Sequence, residues 1–236
     1  MYGISNSSVI LVSYRKIAAL NTCNVKLYLI FVKIFLNPPD VETLKISETS
    51  MQASNRTSLI PGIYMDVFQE ALYEIGRLWE ANQITVADEH MGTAITQFVM
   101  SNLYQHIEIA DEQRGKLVMT GVQGELHQVG ANMVADVLEA DGWDVTFLGT
   151  NVPAEGVIQS IRQQRPDLFG ISSTMLFNIP KVIQLVEVVR KEFGNGVNIM
   201  LGGGAFRTIQ EMPGELSSCK VALDLREALD LTRSGM

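Results

Sequence analysis

The stretch Gly124-Glu125-Leu126-His127-Gln128-Val129-Gly130 sets an imidazole two residues after a carboxylate, and His127 is one of three histidines in the chain. An imidazole can coordinate a metal through one ring nitrogen while a carboxylate holds its other N–H, fixing the tautomer and raising basicity. Taken alone, the same pair is also ordinary loop chemistry. No second ligand at zinc-site spacing lies nearby, although one histidine is enough when the metal arrives held in a macrocycle. Two further groups stand apart. Ser172-Ser173-Thr174 closes one apolar run with hydroxyls, and Gly202-Gly203-Gly204 closes another with glycines that permit close backbone approach. Upstream, Trp79 precedes Glu89-His90 by nine residues in "WEANQITVADEH". Alone, that tryptophan reads as core and that histidine as surface.

Two kinds of elements must position these residues. In the second half, short apolar runs alternate with helical patterns: "KLVMTGV", "DVTFLG", "LFGISST" and "NIMLGGG" as strands, with helices from Val129, Ala154 and Ile179 between them. "KVAL" is a candidate fifth strand and Leu225 to Thr232 a last helix, while Pro166 and Gly194 sit where helices should stop. This alternation predicts a parallel sheet covered by helices on both faces. In such sheets ligands bind beyond the carboxyl ends of the strands, where the strand order reverses, and "GELHQVG" follows the first strand. The first half predicts a small helical bundle. Val67, Ala71, Leu72, Ile75, Leu78 and Trp79 recur at steps of three and four, and Thr85 with Asp88 approximates a capping box at the start of the next helix. Asn37-Pro38-Pro39-Asp40 breaks the chain ahead of a helical stretch from Val41 to Ala53. The division expected is an uncertain extension over 1–24, a helical cap over 25–110 and an α/β domain over 115–236.

Composition narrows the function classes. A net charge of −8 excludes a general attraction to nucleic acid or anionic membranes. The run Val25 to Leu36 is too short to span a bilayer and carries Lys26 and Lys33. Cys23 and Cys219, far apart in sequence, read as reduced thiols of a cytoplasmic protein. Acidic pairs such as Asp88-Glu89 and Asp111-Glu112 suit solvated helix ends, and His106 suits the end of its helix. No nucleophile or acid–base pair stands out, so no independent enzymatic turnover is expected.

Taken together, Glu125-x-His127-x-x-Gly130, Ser172-x-Thr174 and Gly202-Gly203 resemble the signature of the cobalamin-binding domain at that family's spacing, with Glu125 where the family has Asp. The resemblance implies a flavodoxin-like (Rossmann-like), doubly wound parallel sheet preceded by an all-α cap. It implies that His127 is the lower axial cobalt ligand in the base-off mode, and that Ser172, Thr174 and Gly202 to Gly204 hold the displaced nucleotide tail. The spacing of Trp79 from Glu89 and His90 is similar to the cap of the CarH and LitR photoreceptors. That likeness implies adenosylcobalamin as cofactor, with Trp79 on the adenosyl group and Glu89 and His90 lining its pocket; methylcobalamin is the other form weighed. Two departures stand out. No helix-turn-helix module precedes the cap, so direct DNA binding is not expected, and the output would be a homo-oligomer or a protein partner. Glu80 occupies the place of the histidine that captures cobalt after photolysis. The alternative is a corrinoid methyl carrier of a methyltransferase system, but those relatives have an Asp and a Lys where this chain has Gln128 and Ala131.

Overall fold

The computed structural model describes residues 62–104 and 107–234. The extension over 1–24, the apolar run Val25 to Leu36, the stretch Val41 to Ala53, Cys23 and His106 lie outside the described residues. The chain divides between Asn102 and Leu103 into two compact units.

In the first unit, a π-helical turn Tyr64–Gln69 leads directly into α1, Glu70–Glu80. Tyr64, Val67, Phe68, Ala71, Ile75 and Leu78 are buried along one face, and the rings of Tyr64 and Phe68 lie 5.6 Å apart. The helical period therefore holds through Leu78 and stops there, because Trp79 is 47% exposed. α2, Val86–Tyr104, starts at the capping box the sequence predicts. The Thr85 amide donates to Asp88 Oδ2 at 2.8 Å and the Asp88 amide to Thr85 Oγ1 at 3.2 Å, satisfying amides that a helix start leaves without partners. Thr96, buried mid-helix, returns its hydroxyl to the Gly92 carbonyl at 2.8 Å.

The second unit is a five-stranded parallel sheet: β1 Gly115–Gly121, β2 Trp143–Phe147, β3 Leu168–Ser172, β4 Asn198–Gly202 and β5 Lys220–Ala222. The strand order is β2-β1-β3-β4-β5, so the chain reverses direction across the sheet between β1 and β3. Between the strands run α3 Val129–Ala140, α4 Ala154–Gln164 and α5 Ile179–Phe193, and α7 Leu225–Arg233 follows β5. Alternation along each strand feeds two cores. Val118, Phe169, Ile171, Ile199 and Leu201 pack with Val157 and Ile161 of α4 and Val182 and Val186 of α5. Leu117, Met119, Leu168 and Met200 pack with Ala131, Ala135 and Leu138 of α3 and Ala228 of α7. Gly170 stands beside Met119 in register, where a Cβ would come within 2.8 Å of Met119 Cγ.

The predicted helix stops are realised. Arg165 ends α4 in the left-handed region at φ 49°, directly before Pro166, which has no N–H with which to continue the helix. Gly194 ends α5 at φ 60°. Three short elements were not predicted: the 3₁₀ turns Leu176–Asn178 and Gly214–Leu216, and α6, Gly204–Thr208. β3 also ends two residues before the apolar run predicts, at Ser172, because the Thr174 amide turns away from the sheet toward Glu125.

Candidate functional site

The loop 122–128 leaves β1 at the point where the strand order reverses. Its backbone is held at Gly124, whose amide donates to Asn151 Oδ1 at 2.8 Å, and at Glu125, whose amide donates to the Val122 carbonyl at 2.9 Å. Asn151 itself sits at φ 59°, a conformation asparagine tolerates better than most residues.

Glu125 is the centre of the arrangement and is fully buried. Its Oε1 accepts from the amides of Leu126 and His127, each at 3.0 Å, and lies 2.6 Å from His127 Nδ1. Its Oε2 accepts from the Thr174 amide at 2.9 Å, the Met175 amide at 3.4 Å and Asn178 Nδ2 at 3.1 Å. Burial alone would raise this carboxyl. Donation from the His127 ring and amide, the Thr174 amide and Asn178 outweighs burial and holds it at about 2, below the ordinary 4.5. An ionised carboxylate only accepts hydrogen bonds, so Nδ1 carries a proton, and in the neutral imidazole the lone pair falls on Nε2. His127 is 54% exposed. An oriented imidazole is thus presented at the carboxyl edge of the sheet, as a metal ligand held by a carboxylate would be.

The other predicted residues fall into four groups. Thr174 joins Glu125 directly, its amide donating to the carboxylate that also holds His127. Ser172 ends β3, in register with Gly121 and Gly202, and Gly130 lies in the first turn of α3 with open space where a Cβ would stand. The glycine triplet packs against the chain itself. Gly203 has φ 105°, and a Cβ there would lie 2.8 Å from the Ser173 carbonyl carbon, while one on Gly204 would lie 3.2 Å from the Thr174 carbonyl oxygen. These contacts already account for glycine at both positions. Trp79, Glu89 and His90 belong to the first unit. Trp79 lies in the last turn of α1, and Glu80 is its final residue. In the first turn of α2, Glu89 accepts from Thr93 Oγ1 at 3.2 Å and lies 2.5 Å from the exposed His90 Nδ1.

Sequence reasoning missed Asn151 and Asn178, which act from 27 and 53 residues away. It also missed an apolar rim on the two segments Glu125 ties together. Leu126 is 76% and Phe177 68% exposed, with Met175 and Leu176 exposed beside Phe177. Among the described residues, no group of three or more His, Cys, Asp or Glu side chains could hold a bare metal ion.

Both parts of the chain resemble known proteins. Residues 115–221 match the family model of the B12 binding domain, and residues 43–104 match a second model described in the same words. The chain is 25% identical over 135 residues to a corrinoid protein of Desulfitobacterium hafniense (strain Y51), covering 55% of this chain and 62% of the relative. It is 26% identical over 95 residues to dimethylamine corrinoid protein 1 of Methanosarcina acetivorans, covering 40% and 45%. It is 27% identical over 145 residues to the HTH-type transcriptional repressor CarH of Myxococcus xanthus, covering 61% and 48%. The chain therefore spans less than two thirds of the length of these relatives. Its fold matches the solved monomethylamine corrinoid protein of Methanosarcina barkeri at a TM-score of 0.67 and 20% identity, over 75% of this chain and 84% of that one. The fold and the two matched domains define a cobalamin-binding protein, with an α/β B12-binding domain that follows a helical one along the chain. Its cofactor is cobalamin.

Proposed function

We propose that His127 is the lower axial ligand of cobalamin in the base-off mode, and that the protein is a light sensor that holds adenosylcobalamin. The observation that carries the coordination is the His127–Glu125 pair at 2.6 Å on the carboxyl edge of the sheet. When bound, the cofactor supplies a cobalt–carbon bond that light can break. The chain's own residues would orient the ligand through Glu125 and cover the corrin's lower face with Leu126 and Phe177. Ser172, Thr174 and Gly202 to Gly204 would line the path of the nucleotide tail, with Gly130 leaving room beside it. Trp79, Glu89 and His90 would line the upper side, and loss of the adenosyl group would shift the cap, proposed over 25–110, against the domain over 115–236. Such a shift needs contacts that differ between the two states, and an exposed tryptophan meeting the adenosyl group supplies them. The output would be a change of assembly, with itself or with a protein partner.

A methyl carrier is the competing reading, favoured by the names of the relatives from Desulfitobacterium and Methanosarcina. Against it, Ala131 is buried in the α3 core and Gln128 is neutral, so neither position brings a charge to the site.

Absorption spectra of the protein reconstituted with adenosyl- or methylcobalamin, before and after green light, decide between the two. The sensor requires preference for adenosylcobalamin, a lasting light-induced spectral change, and a dark-to-light change in elution volume on size exclusion. Equal or better methylcobalamin binding with methyl transfer to a thiol would favour the carrier. A base-on spectrum in the wild type, or an unchanged spectrum in His127→Ala, would remove the ligand assignment.

A further inference from the structure

The segment that follows α2 is not a free tether. Tyr104, the last residue of α2, lies on the α/β side of the division between Asn102 and Leu103. Beyond it the chain is held by consecutive residues that close α3, Glu139 to Gly142. Glu139 Oε2 accepts from the Tyr104 hydroxyl at 2.7 Å, and the Ala140 carbonyl accepts from the Ala110 amide at 2.9 Å. The Asp141 carbonyl accepts from Arg114 Nε at 2.8 Å, and the Gly142 carbonyl from the Arg114 amide at 3.0 Å. A helix leaves its last carbonyls without partners, and this strap supplies them. Gly142 has φ 98°, and a Cβ there would lie 1.9 Å from the Glu112 carbonyl oxygen. The strap thus passes too close for any residue but glycine.

The holds differ in kind. Next to β1 they are backbone bonds and a buried ion pair. The Asp141 side chain, 7% exposed, lies 2.7 Å from Arg114 Nε and also accepts from Arg233 Nε of α7 at 2.9 Å. At Tyr104 the hold is a single side-chain bond on the exposed surface. The phenol stays a donor, because the bond to Glu139, partial burial and the charges of Glu139 and Asp136 push it up to about 12. An exposed bond of this kind opens far more readily than the buried anchor.

We infer that Tyr104 and Glu139 form a latch that sets how freely the helical unit moves. Closed, the latch grips α2 through its last turn, and the connection has no slack. Open, the anchored point retreats to Ala110, six residues beyond Tyr104, and the freed chain can reach about 20 Å. The inference deepens the sensor reading, in which the cap shifts, and rests on that reading only for the use made of the movement.

The test uses the full apo chain in the dark, with Cys23→Ser and Cys219→Ser. Spin labels are attached through Ala94→Cys of α2 and Gln159→Cys of α4, both exposed positions. Double electron–electron resonance then separates a narrow from a broad component in the distance distribution. Tyr104→Phe, which removes only the hydroxyl, should raise the ratio of broad to narrow about fivefold. A glutamate-specific protease should cut after Glu108 faster by a similar factor, and after Glu112 at the wild-type rate, because the anchor holds there. Glu139→Ala should match Tyr104→Phe, and the double variant should go no further than either. Unchanged distances and cleavage in Tyr104→Phe overturn the latch, and so does a double variant in which the two effects compound. If Tyr104→Phe fails to fold, Glu139→Ala decides on the same readouts. Wild type loaded with adenosylcobalamin that shows no change under green light would instead reject the sensor reading, and the latch, measured without cofactor, would stand.

Discussion

At the scale of the residue, Glu125 determines what His127 can do. The carboxylate is fully buried yet ionised, because donors on three segments converge on it. Its depressed pKa ties it to stability with a definite sign. A carboxyl held at about 2 in the folded protein and near 4.5 when unfolded contributes its full stabilisation above pH 4.5 and loses it as pH falls toward 2. The size is about 3 kcal/mol at neutral pH, taking 1.36 kcal/mol per unit. Urea unfolding of the apoprotein should therefore show Glu125→Gln destabilised by a comparable amount at pH 7, with the gap to wild type closing between pH 4.5 and 2. A gap that stays constant over that range would show the interactions do not depend on the charge. Of this centre, the Glu125–His127 pair was legible in sequence because its partners are two residues apart. Asn178 and Asn151 were not, since only the paired sheet brings them to the loop.

At the scale of elements, the helix starts and stops were legible because they rest on local chemistry: a Thr85–Asp88 box, a residue before Pro166, a glycine after Phe193. The amphipathic face of α1 was legible up to Leu78, and Trp79 broke the pattern. Periodicity could not separate an aromatic in the core from one held out of it. The glycine triplet was visible as a motif, but its reason was not, because the close approach it permits is to β3's own continuation. Gly203→Ala should therefore cost more than Gly170→Ala. The first adds positive-φ strain to a collision with the Ser173 backbone, for an expected loss of about 3 kcal/mol or more. The second meets only the flexible Met119 side chain, for about 1–2 kcal/mol. Equal losses in urea titrations of the two variants would contradict this account.

At the scale of the whole molecule, the strand order decides where the ligand can be. β1 and β3 are neighbours whose following connections depart toward opposite sides, and that divergence opens the sheet edge on which His127 stands. The α/β class and the place of the loop that carries His127 followed from strand–helix alternation alone. The cap was legible only in part, because a helical period gives a buried face without giving its neighbour. The matched relatives include both corrinoid proteins and a repressor, while both matched family models are of the B12 binding domain. No helix among the described residues is long and apolar enough to cross a membrane.

Glu125 reaches forward 49 residues to Thr174 and 53 to Asn178, and this has a kinetic consequence. If His127 binds cobalt as proposed, its imidazole acquires its bearing only after β3 has docked beside β1, and a nascent or unfolded chain would offer nothing better than a free histidine. On that assignment the cofactor would select chains already folded rather than template the fold, unlike a structural zinc that organises an unfolded peptide. Stopped-flow refolding should proceed at the same rate with and without cobalamin, while the unfolding rate falls as cobalamin is added. An acceleration of refolding by cobalamin would mean that the ligand is oriented before the sheet closes.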